Sequence, residues 1–480
     1  MSLITAPTRG LGLERDLLVE MALAAAGQDS DDHADWLRLA DETHAVVADH
    51  NDSERELDRA ADQMRRLLLR RGHRIEDDFL RSPDLTRPRV LPGGSVLQHS
   101  YERNLPSVQL EERLAHRGDL PSGWTRRTLA MSSGMAGLVH VVQTLSYLLG
   151  RADRPLRLDF WGDYFETDIM LEYLSGPGMV PRKLVAGTGP VAGDEAVDVV
   201  LVEPVRYSWT LDAVDPRNLV TQWLRGPNRP PVIVLDTTLT SPAWPTAGVL
   251  AALAASGAAP LVIEVRSGLK LDQQGLEVAN LGVVDIFSHE TSAAPNLTAH
   301  TFVKALELAR GTAGACLSAS ALASLDAPFL LDERWTRRHA GAVYHHNARL
   351  ADRLSSASGA LFDTIAHPAL SGSGHAPFVV LGLAEDDLDN HGFLLGVVRH
   401  EVVQRGLLAT HGSSFGFRGP RFETIIPRLS EGNGLFKVAA GSRGGPSLAG
   451  LEDLLVELAA FGSMRLLRSA YDGVTPVRLP

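Results

Sequence analysis

Apolar residues recur at three- and four-residue spacing through LLVEMALAAA, DWLRLADETHAVVADH and LDRAADQMRRLLLRRG, so the first part of the chain reads as amphipathic helices. The stretch from Leu80 to Gly94 breaks that pattern with Pro83, Pro88 and Pro92 and reads as a connector. Beyond Thr128 the texture changes. Short β-rich runs (LRLDF, DVVLVEP, PVIVLDTT, PLVIEVRS and VVDIFSH) are separated by helical ones such as YFETDIMLEYL and GVLAALAAS. That alternation predicts a mostly parallel sheet covered by helices, an α/β fold. The remainder, with the helical ERWTRRHAGAVYHHNARLADRLSSA, the strand APFVVLGL and the helix LEDLLVELAAFG, predicts a smaller α+β lobe. The expected division is a helical extension over residues 1–95, a large domain over 96–325 and a C-terminal lobe over 326–480.

Composition narrows the partners. A chain of 480 residues is too long for one small core and can bury a deep site. Its net charge of -12, with 22% charged and 44% hydrophobic residues, leaves no basic stripe of the kind nucleic-acid binders need. The single cysteine, Cys316, excludes an internal disulfide and a cysteine-cluster metal site, and reads as a small core residue in a reducing compartment. The opening MSLITAPTRGLGLERD lacks a charged-then-apolar signal pattern, and no stretch approaches about 18 uninterrupted apolar residues. A cytoplasmic protein with no membrane partner is expected. His339, His345 and His346 lie on one helical segment at a spacing that gives no compact metal pair, so no catalytic metal is expected and the three read as surface or lobe-packing residues.

Ligands in open α/β sheets collect beyond the carboxyl ends of the strands, which directs attention to the residues just after each apolar run. In RTLAMSSGMAGLVHVVQTL a short strand passes through Ser132, Ser133 and Gly134 into a helix near Met135, and the free N–H groups of its first turn suit a phosphate. Small residues before a helix also serve simply as caps. PVIVLDTTLTSP ends a very apolar strand in Asp236, which is either a cap or the partner of a buried cation. EVRSGLKLDQQG then places Lys270 just past the next strand, three positions after Ser267. A lysine there is ordinarily one that has snorkelled to water. Cradle, aspartate and lysine at the ends of strands of one sheet form a more specific constellation than any one of them.

Pyridoxal 5'-phosphate needs those three parts: a lysine for its aldehyde, a carboxylate against its protonated pyridine nitrogen, and N–H and hydroxyl groups for its phosphate. At these residues the chain resembles the fold-type I pyridoxal phosphate enzymes of cysteine and methionine metabolism, the group of cystathionine γ-synthase and methionine γ-lyase. The resemblance spans roughly residues 95 to 465 at low identity. It implies an aspartate aminotransferase-like fold and a homodimer or homotetramer with shared active sites. HSYERNLPSVQLEERLA is similar to the family's Tyr-x-Arg motif, which would send Tyr101 and Arg103 to the phosphate of a neighbouring subunit. SSGM matches its Ser-Gly-Met, so that Ser133, Gly134 and Met135 would cradle the phosphate. LDTTLTSP is similar to Asp-Asn-Thr, giving Asp236 to the pyridine nitrogen with Thr238 nearby. RSGLK matches Ser-x-Thr-Lys, with Ser267 toward the phosphate, Lys270 as the Schiff-base lysine and Leu269 in place of the threonine.

Other motifs depart from the family. The tyrosine of Tyr-Gly-Gly-Thr, which stacks on the cofactor and can protonate a leaving group, is Trp161 in LDFWGDYF, and an indole N–H is no usable acid near neutral pH. Either Tyr164 takes over the proton transfer or the leaving group departs as a stable anion. EPVRYSWTLD resembles Glu-x-Pro-x-Asn-Pro with Tyr207 for the asparagine that bonds the cofactor's phenolic oxygen. GLFKVAAGSRGG resembles Arg-Leu-Ser-Val-Gly-x-Glu with Lys437 where the substrate α-carboxylate is clamped, so the clamp falls to Lys437, to Arg443, or to Arg421 in SSFGFRGPRFE.

The resemblance therefore implies elimination or replacement at the γ-carbon of an amino acid. Loss of halide from a γ-chlorinated unsaturated amino acid, forming an alkynyl amino acid of propargylglycine type in specialised metabolism, would suit the missing acid. An aminotransferase or a β-lyase would share Asp236 and Lys270. A non-enzymatic α/β binding protein would need Lys270 to be a surface residue, and the absence of GxGxxG after an early strand argues against dinucleotide binding. The helical extension reads as an arm that wraps a partner subunit.

Overall fold

The computed structural model describes residues 10–28, 31–47, 52–77, 79–91, 93–115, 118–151, 153–185, 189–190, 196–226, 229–292, 297–357, 359–427 and 433–479. Residues 1–9 and Pro92 of the connector lie outside them. Three helices open the chain: α1 (Gly10–Ala26), α2 (His33–His44) and α3 (Ser53–Glu76). Among its described residues the connector holds β1 (Arg89–Val90), paired antiparallel with β2 (Val96–Leu97) just beyond it, and the chain continues into α4 (Val108–Ala115).

The large sheet is built from β3 (Trp124–Met131), β4 (Leu156–Trp161), β5 (Met179–Lys183), β6 (Val199–Val202), β7 (Val232–Asp236), β8 (Leu261–Ser267) and β9 (Gly282–His289). The strand order is β3-β9-β8-β7-β6-β4-β5. From β5 to β8 the pairs are parallel, whereas β9 runs antiparallel to both of its neighbours. One face packs on α5 (Gly134–Leu149), α6 (Phe165–Leu174) and α9 (Ala299–Ala313) through Phe160, Leu201, Val234 and Ile263. The other packs on α7 (Pro216–Arg225) and α8 (Thr246–Ala254) through Trp161, Val202, Leu235 and Trp223. Successive side chains on β6 and β7 thus enter opposite cores, which is why these strands read as unbroken apolar runs.

After α10 (Ala319–Leu325), the long α11 (Glu333–Ser355) leads to a second sheet of β10 (Phe362–Ala366), β11 (Val379–Leu383), β12 (Thr410–His411), β13 (Arg421–Ile425) and β14 (Leu435–Ala439), in the order β10-β11-β14-β13-β12. Its core is closed by α11, α12 (Leu388–Gln404), α13 (Pro446–Ala459) and α14 (Met464–Ala470). The mostly parallel first sheet and the α+β character of the second agree with the hydrophobic pattern. No helix among the described residues is long and apolar enough to cross a membrane.

Two expectations need correction. The apolar faces of α1 to α3 are used within the chain: Trp36, Leu57, Met64 and Leu67 share one core with Leu105, Leu114, Leu322 and Phe329. Arg71 Nη1 bonds the Asp326 carbonyl at 3.0 Å, and α3 and α10 approach so closely that a Cβ on Gly72 would meet the Ser320 carbonyl oxygen at 2.8 Å. Of the surface and packing roles expected for them, His339 and His346 take the packing one, bonded to the carbonyls of Gly416 and Gly441, at 2.8 and 3.0 Å. Cys316 is only half-buried.

Candidate active site

Three strand ends meet on the α5 side of the large sheet. Asp236 follows Val232 and Val234 in register, and Ser267 follows Ile263 and Val265, so both side chains belong to the face that carries α5. Ser133 caps that helix, its Oγ accepting the Ala136 N–H at 3.0 Å, which leaves the Gly134 and Met135 N–H groups without intrahelical partners. A Cβ on Gly134 would stand 3.0 Å from the Ser267 backbone nitrogen, so glycine is what lets the helix end approach β8. Ser267 N–H in turn bonds Thr238 Oγ1 at 3.0 Å, and Thr238 N–H bonds Asp236 Oδ1 at 3.0 Å. One linked set of short contacts joins Asp236, Thr238, Ser267 and the start of α5.

Asp236 is half-buried, and loss of water raises its pKa against the lowering effect of Thr238. No cation among the described residues lies within ion-pair distance of it, although a carboxylate in such surroundings calls for one. Lys270 lies three residues past β8, and its Nζ donates to Ser414 Oγ at 2.5 Å. Burial lowers its pKa, opposed by Glu277, Glu166 and Glu423 and reinforced by Arg421. Ser414 holds this bond with φ at 78°, a left-handed conformation unusual for serine.

The aromatic residues divide. Tyr164 caps α6 beside the site, its ring 5.5 Å edge-on from Tyr207 and its hydroxyl donating to Glu166 at 2.6 Å. Burial, then Glu166 and Asp236, raise its pKa. Trp161 does not join it. Leu158 and Phe160 face α5 and α6, so the next side chain, Trp161, enters the core under α7 and α8, where the Arg206 guanidinium lies 5.2 Å over its ring. The motif LDFWGDYF marks the position along the strand but not the face. Tyr207 packs at 5.0 Å on Phe378, and its hydroxyl accepts from Lys437 Nζ at 3.2 Å.

The three candidate clamps also differ. Lys437 on β14 is 3% exposed and its ammonium is taken by Glu423 on the neighbouring β13 and by Tyr207. Arg443 is 1% exposed and is held by Asp58 at 2.7 Å and Glu54 at 3.5 Å, both on α3, so it is engaged on the side of the N-terminal helices. Arg421 is half-buried, donates to the Ser413 carbonyl at 3.1 Å next to the serine that holds Lys270, and has no carboxylate in ion-pair reach among the described residues. Tyr101 and Arg103 are exposed, with the Arg103 guanidinium 5.7 Å over the Tyr101 ring.

Two residues at the site carried no assignment from sequence. Glu203, at the end of the apolar VVLV, accepts the N–H groups of Asp163, Tyr164 and Tyr207 at 2.9, 3.1 and 3.3 Å and so fixes both loops that carry the site's tyrosines. Its signal was the same as that of Asp236, an acid closing a buried strand. Ser414, in SSFGFRG, has no such signal.

A large, mostly parallel sheet with a mixed smaller sheet after it, and with candidate residues at the carboxyl strand ends, is the aspartate aminotransferase-like architecture called fold type I. Solved structures carry the likeness. The apo methionine γ-lyase of Micromonospora echinospora is 18% identical with a TM-score of 0.50, the match covering 75% of this chain and 87% of that one. The metB protein of Corynebacterium glutamicum is 16% identical with a TM-score of 0.52, covering 77% and 88%. The cystathionine γ-synthase of Xanthomonas oryzae pv. oryzae is 16% identical with a TM-score of 0.50, covering 82% and 96%. At these identities the likeness defines the fold alone. No family profile and no curated protein sequence matches the chain.

Proposed function

We propose that this chain is a pyridoxal phosphate-dependent enzyme that eliminates or replaces a substituent on the γ-carbon of an amino acid, acting as a homodimer or homotetramer. The observation that carries the reading is Asp236: a carboxylate with raised pKa and no cationic partner among the described residues, linked through Thr238 and Ser267 to a glycine-opened helix start, with a half-buried lysine after the next strand. The donor set fits the cofactor. When bound, pyridoxal phosphate supplies an aldehyde for an amine and a ring that takes up the electron pair of the substrate's α-carbon. Asp236 would accept the ring N–H, and the backbones of Gly134 and Met135 with the hydroxyls of Ser133, Ser267 and Thr238 would hold the phosphate. Tyr101 and Arg103 would reach the phosphate site of a second copy. Tyr207 would face the ring's phenolic oxygen, and Tyr164, rather than Trp161, would flank the ring.

Lys270 is the base of this reading. Its lowered pKa suits an amine that takes the α-proton near neutral pH and moves it, and a second deprotonation at the β-carbon lets the γ-substituent leave with its bonding electrons. Arg421 is the best placed residue for the substrate α-carboxylate, because Lys437 and Arg443 already have acid partners. The reading extends to a leaving group that departs as a stable anion, such as halide from a γ-chlorinated unsaturated amino acid to give an alkynyl product. It is supported by the Tyr164 phenol, whose proton is committed to Glu166 and whose pKa is raised.

An absorption spectrum of the purified protein with and without added pyridoxal phosphate, beside Lys270→Ala, tests the core of the proposal. The expected result is a band near about 420 nm that borohydride bleaches and that the variant lacks. No band in either protein would end it. Chloride release from the unsaturated substrate, retained by Tyr164→Phe, would support the anionic leaving group, and total loss in that variant would refute it.

A further inference from the structure

The N-terminal helices have no part in the reading above, yet Glu14 of α1 reaches the loops around Lys270. Its two carboxylate oxygens accept Arg418 Nε at 2.6 Å and Arg418 Nη2 at 2.7 Å. Both residues are buried, 5% and 4% exposed. The remaining Nη1 donates to the Gln274 carbonyl at 3.0 Å, in the turn that follows Lys270. That turn is tightly specified: Gln274 and Glu277 both hold φ of 48°, and a Cβ on Gly275 would stand 2.8 Å from the Arg418 nitrogen. Non-glycine residues keep such φ values only where the surroundings over-determine them.

The second loop runs from Ser414 to Arg418. Ser414 holds Lys270 Nζ, the Gly416 carbonyl bonds His339 at 2.8 Å, and a Cβ on Gly416 would meet the Lys270 carbonyl carbon at 3.3 Å. The Arg418 carbonyl also accepts the Arg443 N–H at 2.8 Å. Both loops that meet at the lysine therefore converge on one guanidinium, and α1 supplies the acid that orients it. A buried ion pair adds little net stability over well-packed apolar side chains, but its two-point geometry fixes orientation.

We propose that Glu14 is a positioning residue: through Arg418 the first helix locks the 271–277 and 414–418 loops, so that the N-terminal helices complete the site around Lys270. The proposal rests on the reading of Lys270 as the working amine.

The test uses the full-length protein without added cofactor. Amide hydrogen exchange is followed peptide by peptide, and amine-reagent labelling of Lys270 is followed against pH. Lys270 is faced by Glu277, Glu166, Arg421 and Glu423, and its pKa is lowered first by burial. In Glu14→Gln, exchange in both loops should rise roughly tenfold while β6 and β7 stay protected, and water entry should move the labelling midpoint upward toward an ordinary lysine. If that variant does not fold, the charge-free pair Glu14→Met with Arg418→Met should show the same loosening. Asp58→Asn, which removes an exposed partner of Arg443, should leave both readouts unchanged. Unmoved loops and an unmoved midpoint, or loosening shared equally by the sheet, would overturn the proposal. Because neither readout needs the cofactor, a wild-type protein that fails to bind pyridoxal phosphate while Glu14→Gln loosens the loops would refute the functional reading and keep the brace.

Discussion

Burial, then the charge of Asp236, pushes the Glu203 carboxyl up to about 8, against the pull of three backbone N–H bonds. An acid whose pKa is raised by folding contributes its full stability below its ordinary value and loses it as pH rises through the folded value. Glu203's share of the stability of the cofactor-free protein should therefore be lost between about pH 4.5 and about pH 8, and Glu203→Gln should shift the thermal midpoint upward relative to the wild type as pH rises through that window. Glu264, raised to about 7 by burial, keeps some slope in the variant. Thermal unfolding at stepped pH and constant salt decides it, and an unchanged slope would show that Glu203 is already charged. Arg421→Ala should raise KM for the amino-acid substrate about 10- to 100-fold with a smaller change in kcat, the loss of one charge-assisted contact. Lys437→Ala should instead lower the thermal midpoint, since it leaves the half-buried Glu423 without its ion-pair partner and a cavity at a buried position. Asp236 and Lys270 were legible because each follows an apolar run that cannot end in a charge without a reason. The partners of Lys437 and Arg443 were not, because Glu423 sits on an adjacent antiparallel strand and Asp58 on a helix more than 300 residues away along the chain.

Strands buried on both faces announce themselves as unbroken apolar runs, which is why β6 and β7 could be read directly, whereas β4, β8 and β9 carry charged residues and were read from their β-rich composition. Edge strand β5, with the sequence MVPRK and mostly exposed or half-buried, carried no such run. Nor does any local pattern tell that β9 runs antiparallel, since direction is set by the connection and not by the strand. The start of α5 shows what the sequence pattern implies but does not measure. SSGM signals a tight turn into a helix, while the structure adds that a Cβ at Gly134 would press on Ser267 Cα and N at 3.0 Å, backbone that has little room to give. Gly134→Ala should accordingly push α5 from β8 and weaken pyridoxal phosphate binding roughly tenfold, in keeping with the usual cost of overpacking. Titration of the absorption band measures it. An affinity equal to that of the wild type would mean that the phosphate is held elsewhere.

An amphipathic helix shows that a partner exists and leaves its identity open. The pattern over residues 1–95 gave α1, α2 and α3, but the expected arm and the observed arrangement have identical hydrophobic stripes; only the tertiary structure shows that Met64, Leu67 and Trp36 close on Leu322, Ala323 and Phe329 of the same chain. The polar contacts agree with the apolar ones. Glu14 holds Arg418, Asp58 and Glu54 hold Arg443, and Glu54 also accepts the N–H and hydroxyl of Ser447 at 2.9 and 2.7 Å. Removing residues 1–77 would thus expose an apolar face and leave two buried guanidinium groups unpaired, each change costing several kcal/mol. A detachable arm predicts the opposite, a soluble core with a sharp thermal transition. The truncated chain should instead aggregate or bind a hydrophobic dye without a cooperative transition, and co-expression of residues 1–77 as a separate chain should restore both solubility and cooperativity, because the interface is formed by packing and not by the connector. A soluble, cooperative truncation would place the three helices outside the folding unit and would remove the physical basis for a brace at Glu14.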